Sequence, residues 1–181
     1  MTNAPRLIGL TGTNGAGKGE AAAYFAAKGY ARFSLSDVIR EELEERGQPA
    51  SRDNLIRVGN ELRKRFGADV LARRTMAKIG PGGRAVIDSI RNTSEIAFLR
   101  RQEGFVLLAI DAPAPMRFAR VAARGRDESA GDLEAFVRKE DEERAGGAKA
   151  QQLGASMAAA DRHITNDGTL EEFRRKLEEV A

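Results

Sequence analysis

Cysteine is absent from this 181-residue chain, and histidine occurs once. The first absence removes disulfides, thiolate metal sites and thiol nucleophiles together. The second removes any multi-histidine metal centre. No apolar run is long enough to cross a membrane, and the opening "MTNAPRLIGL" has too short an apolar stretch for a signal peptide. The expected location is therefore the cytoplasm, with no membrane partner. An excess of one charge is lacking too. Lys and Arg number 30 against 27 Asp and Glu, well mixed along the chain, for a formal net charge of +3. That balance argues against a nucleic-acid partner while leaving room for a local anion site. There is no internal repeat and no low-complexity linker.

What is present describes one soluble globular domain spanning residues 1–181, with 41% hydrophobic and 31% charged residues. Short apolar runs alternate with longer amphipathic stretches, the pattern of a parallel α/β sheet. Five strands are expected: residues 7–11, "YARFSL", "RAVIDSI", "FVLLAIDA" and "RHITND". Between them lie helical patterns. "SRDNLIRVGNELRKRFG" has Ser51 as N-cap and Leu55, Val58, Leu62 and Phe66 on one inward face. "NTSEIAFLRRQEG" carries a capping pattern from Asn92 to Glu95. "TLEEFRRKLEEVA" opens on a Thr169–Glu172 capping box and turns Leu170, Phe173, Leu177 and Val180 inward. "AGGAKAQQLGASMAAAD" suits a loop followed by a helix.

"GLTGTNGAGKGE" carries the chemistry. From Gly12 it reads G-x-x-x-x-G-K, between an apolar strand and a helix, as a phosphate-binding loop requires. Gly12, Gly15 and Gly17 allow the backbone to curl so that successive N–H groups face one concavity. Thr13, Asn14, Ala16 and Gly19 contribute to that concavity, the helix start adds its positive end, and Lys18 supplies a cation for the outer phosphates. The Ser or Thr that normally touches Mg²⁺ is replaced by Gly19, and Glu20 follows. A carboxylate beside phosphates is repelled unless a metal, its waters or an arginine intervenes, so Glu20 is expected to tune the metal requirement.

The loop resembles that of the adenylate-kinase-like nucleoside monophosphate kinases, whose loops read G-K-G-T; Gly19 agrees with that pattern and Glu20 departs from it. "SLSDVIREEL", residues 34–43, is similar to that family's acceptor-binding segment. The resemblance makes Arg40 a grip on the acceptor's phosphate and sets Asp37 near the transfer site. "DSIRN" resembles the stretch after the family's third strand, mapping Asp88 onto its acidic residue and Arg91 onto a second acceptor-phosphate arginine. "RFARVAARGR" is similar to the helix that opens the lid, with Arg120 and Arg124 in place of the lid arginines. "ADRHITNDGTLEEF" looks like the closing strand and helix of dephospho-CoA kinases and related small kinases. Together these imply a P-loop NTPase fold with a five-stranded parallel sheet, an acceptor-binding helical insert over about residues 35–80 and a short lid over 117–148. They imply ATP and Mg²⁺ as cofactors and a small nucleotide as acceptor.

Residue by residue, Arg40 and Arg91 offer planar forks suited to a phosphate, and Arg120 and Arg124 share one helix face. Asp88 ends a strand, where a carboxylate can hold metal-bound water. Asp37 could instead cap its helix, and Asp88 could satisfy a loop amide. Asn60, Glu61 and Arg63 are candidates for the acceptor pocket. Arg138 could join the lid, and His163 reads as structural. Dephospho-CoA kinase activity, or nucleotide binding with little transfer, are the alternatives.

Overall fold

The computed structural model describes residues 4–123, 131–144 and 152–180. The chain runs β1 (Leu7–Gly12), α1 (Lys18–Ala27), β2 (Ala31–Ser34), α2 (Leu35–Glu45), α3 (Arg52–Phe66), α4 (Val70–Ile79) and β3 (Ala85–Asp88). It continues with α5 (Thr93–Leu99), β4 (Phe105–Asp111), α6 (Ala114–Ala123), α7 (Leu133–Arg144), α8 (Leu153–Ala158), β5 (Arg162–Thr165) and α9 (Leu170–Glu178). The strands form one parallel sheet in the order β2-β3-β1-β4-β5. Each of the five expected strands is there.

Alternation along the strands sends consecutive residues to opposite faces and so divides the core. Leu7, Ala85, Ile87 and Leu107 pack on one face beneath α2 to α5. Ile8, Leu10, Val86, Leu108 and Ile110 pack on the other with Phe25 of α1 and Phe173 and Leu177 of α9. Covering on both faces explains the near-continuous apolar run of β4. No helix among the described residues is long and apolar enough to cross a membrane.

The caps match expectation at three helices. Ser51 accepts from the Asn54 amide at 3.3 Å, Asn92 from the Ser94 amide at 2.7 Å, and Thr169 with Glu172 forms a full capping box. Two of the expected inward residues are not inward. Leu170, the first residue of α9, is 48% exposed because the first turn overhangs the core edge. Phe66, at the end of α3, is 41% exposed and lies between the guanidiniums of Arg65 and Arg74, at 5.0 and 5.1 Å. On α3 the buried stripe runs through Val58, Gly59, Leu62 and, against its polarity, Arg63.

Candidate active site

The loop between β1 and α1 has the backbone its glycines require. Gly12, Gly15 and Gly17 all adopt positive φ, at 139°, 76° and 111°. α1 begins at Lys18 with no side-chain cap, which leaves its first amides pointing into the loop's concavity. The Lys18 ammonium donates to the carbonyls of Gly12 and Thr13, each at 2.8 Å, so its charge sits over the loop.

Neighbouring strands hold this loop from behind. Thr13, fully buried, donates its hydroxyl to Asp111 Oδ1 at 2.5 Å. Asp111 ends β4, which lies beside β1 in register with Gly12 opposite Ile110. Arg117, 4% exposed on α6, donates Nε to the Ala112 carbonyl at 2.7 Å and Nη1 to Asn14 O at 3.4 Å. Asn166, just after β5, donates its side-chain amide to Ala16 O at 2.8 Å, and its backbone amide reaches Asp111 O at 2.7 Å. Asp111, Arg117 and Asn166 were not among the expected site residues. Their signal is position: Asp111 and Asn166 stand at or just past the carboxyl ends of strands.

In front of the loop lies a cavity of about 790 Å³. Its lining includes Gly15, Gly17, Lys18 and Gly19 from the loop and α1, and Asp37 and Arg40 from α2. Asp88, Ser89 and Arg91 line it from the loop after β3. The structure thus brings Lys18, Asp37, Arg40, Arg63, Asp88 and Arg91 to one space. Asp37 lies in the first turn of α2 and accepts from Arg40 at 3.4 Å, whereas the N-cap position belongs to Ser34. Asp88 both lines the cavity and accepts its own neighbour's amide, Ser89 N, at 2.5 Å. Ser34, Ser36 and Ser89 form a hydroxyl chain with separations of 2.8 and 2.9 Å, and Arg40 donates to Ser36 at 2.5 Å.

Other expected residues have partners of their own. The Glu20 carboxylate pairs with Arg174 of α9 at 2.8 Å and is not part of the cavity lining. At 3.6 residues per turn, position 20 is rotated by about 200° from Lys18 around α1, which turns it toward the C-terminal helix. Arg120 bridges carbonyls of Gly15 and Asn166 at 3.4 and 3.3 Å and is not part of the cavity lining. Arg63 reaches the cavity but is engaged by Glu95, with Nε and Nη2 at 3.2 and 3.0 Å from Oε1. Glu61 forms a bidentate pair with Arg46, both contacts at 2.9 Å, which holds its carboxyl below the usual range, and neither it nor Asn60 lines the cavity. Arg124 lies outside the described residues; Arg138 is exposed on α7 and His163 exposed on β5. Because Glu20 is committed to Arg174, Glu20→Thr is expected to leave the Mg²⁺ dependence of any turnover within about twofold, a value inside the small range expected for an exposed ion pair. A Mg²⁺ titration of the variant checks this, and a shifted requirement would return Glu20 to the metal.

Residues 8–146 match the AAA domain family. Over 179 residues the chain is 34% identical to a UPF0200 protein of Methanosarcina barkeri, covering 97% of this chain and 94% of that one. A UPF0200 protein of Pyrococcus horikoshii is 35% identical over 182 residues, with 97% and 95% covered. Among solved structures, a shikimate kinase from Acinetobacter baumannii in complex with shikimate superposes with a TM-score of 0.61 at 16% identity, over 98% of this chain and 93% of that one. At that identity the likeness is one of fold, a P-loop kinase-like fold.

Proposed function

The chain belongs to the UPF0200 family and to the AAA domain family, and from that premise we propose that it is an ATP-dependent phosphotransferase acting on a small anionic acceptor, a nucleoside monophosphate. The observation that carries this reading is the charge of the cavity in front of the phosphate loop. Five basic residues (Lys18, Arg32, Arg40, Arg52 and Arg91) line it against two acidic ones (Asp37 and Asp88), and the sixth, Arg63, is neutralised by Glu95. Phosphoryl transfer asks the protein mainly to hold two anions in line and to neutralise the charge that develops between them. In this proposal the amides of residues 13–19 and Lys18 hold the donor's phosphates, while Arg40 and Arg91 hold the acceptor's. Phe33, Leu55 and Leu71 give the same cavity an apolar wall that suits a nucleobase.

Residues 35–80 serve in this reading as the acceptor-binding segment and 117–148 as the lid region. Arg120 then acts on the donor side, linking the Gly15 carbonyl of the loop to the Asn166 carbonyl after β5. Mg²⁺ fits the residues present. It ordinarily uses one or two carboxylates together with substrate phosphates, and Asp88, through water, is the candidate ligand. When bound it would neutralise charge on the transferring group.

A second reading draws on the two carboxylates in the cavity. An alcohol acceptor, such as the ribose hydroxyl of dephospho-CoA, needs a base that Asp37 could supply, whereas a phosphate acceptor does not. One experiment separates the possibilities. Purified protein with ATP and Mg²⁺ is offered a panel of nucleoside monophosphates and dephospho-CoA, and product is followed by mass. Transfer to a monophosphate is the expected result. CoA formation would move the assignment to the second reading. ATP binding without product across the panel would make the protein a nucleotide-binding module.

A further inference from the structure

Glu95 is fully buried, yet it does more than cap α5. Its Oε1 receives both Nε and Nη2 of Arg63, from α3, at 3.2 and 3.0 Å. Its Oε2 receives the backbone amide of Arg91 at 3.3 Å. The carbonyl of Arg91 accepts in turn from the Gln152 amide at 2.7 Å, so the Arg91 peptide is pinned on both sides. Around it the loop is equally fixed: Ile90 is buried and its amide reaches Leu10 O at 3.3 Å, and Ser89 is held at φ 65°. One carboxylate therefore ties together the loop that carries Arg91 and the helix that carries Arg52 and Leu55, all of which line the cavity.

We propose that Glu95 is a positioning residue for the acceptor site: it sets Arg91 against the acceptor's anionic group and locks α3 at the matching distance. The inference rests on the phosphotransferase reading for what the anion is, and on geometry alone for the positioning. Burial pushes the Glu95 carboxyl up, and Arg63 with the amides of Arg91 and Asn92 draws it back, so the whole arrangement depends on these four donors. A buried ion pair is a weak source of stability, because desolvation offsets most of the Coulomb attraction, and apolar residues of equal volume commonly serve as well or better. Stability alone thus does not require this pair. Its geometry does what an apolar pair cannot, since it orients a specific peptide.

The decisive variant is Arg63→Met combined with Glu95→Leu, which replaces the pair with apolar side chains. Inorganic phosphate is the probe, followed through the Arg91 Nε–H signal by NMR, with ATP binding and the melting temperature measured alongside. In the double variant the amides of Arg91 and Asn92 lose their acceptor, so the melting temperature is expected to fall, while ATP affinity stays near that of the wild type. The Arg91 signal should need at least tenfold more phosphate to reach half saturation. If that double variant fails to fold, Glu95→Gln, which keeps the shape and loses the charge, is expected to show a weaker shift in the same direction. Equal phosphate response in the folded variant and the wild type would overturn the inference, as would a wild-type Arg91 signal that phosphate does not move. Failure of the phosphotransferase reading looks different: wild-type protein would respond to phosphate at Arg91 and yet transfer to no acceptor.

Discussion

Lys18→Ala is expected to lower kcat for phosphoryl transfer by about 10²–10³-fold, the usual consequence of removing one preorganised group that stabilises transition-state charge. The loop's amides remain in the variant, because the glycines at positive φ and the uncapped start of α1 set their direction. ATP should therefore still bind, more weakly, through those amides. The ammonium contributes a mobile charge where negative charge accumulates on the outer phosphates, and no other basic side chain comes from the loop itself. Its bonds to the part-buried Gly12 and Thr13 carbonyls are lost as well, so the melting temperature is measured beside the rate. The measurement is initial velocity with the acceptor found in the panel, together with a melting curve. Turnover equal to the wild type's would sink the phosphotransferase reading, because that reading makes Lys18 the loop's one charge on the outer phosphates.

The phosphate loop was legible because its signal is local: three glycines, a lysine, an apolar run before and a helix after. The same is true of β4, whose covering on both faces is written in "FVLLAID", and of the capping box at Thr169. What could not be read is what depends on chain topology. Thr13 meets Asp111, and Arg63 meets Glu95, only because β4 lies beside β1 and the fold brings the Arg63 side chain of α3 within reach of the first turn of α5. Sequence spacing contains neither fact. Arg63 and Glu20 show the consequence. Both looked available for ligand, and both are engaged by a carboxylate or guanidinium from a distant element. Phe66 shows the converse, an apolar residue in phase with its helix but past the edge of what the helix covers. Helical period locates a face; only the neighbouring elements decide where that face ends.

That dependence on neighbouring strands also predicts which glycine matters most. Gly12→Ala is expected to cost about 4 kcal/mol or more of stability, the range reserved for core clash and backbone strain. A Cβ at Gly12 would stand 1.9 Å from the Ile110 carbonyl oxygen and 2.9 Å from its carbon, both backbone atoms of β4. No rotamer change relieves this, and φ of 139° is itself strained for any residue with a Cβ. Relief requires moving the end of β4 away from β1. That shift carries Asp111 with it and breaks the 2.5 Å hydrogen bond from Thr13 and the 2.7 Å bond from the Asn166 amide. Since 1 kcal/mol corresponds to roughly 2–4 °C for a chain of this size, the melting temperature should fall by roughly 8–16 °C. Gly19→Ala is the internal control: a Cβ there meets nothing within 4 Å, and its backbone is helical. It should hold or raise the melting temperature, by up to about 1 kcal/mol of helix preference. Thermal melts of the two variants decide the matter. A Gly12→Ala protein that melts with the wild type would mean that β1 and β4 can separate at their carboxyl ends without loss, and the loop's support from behind would have to be sought elsewhere.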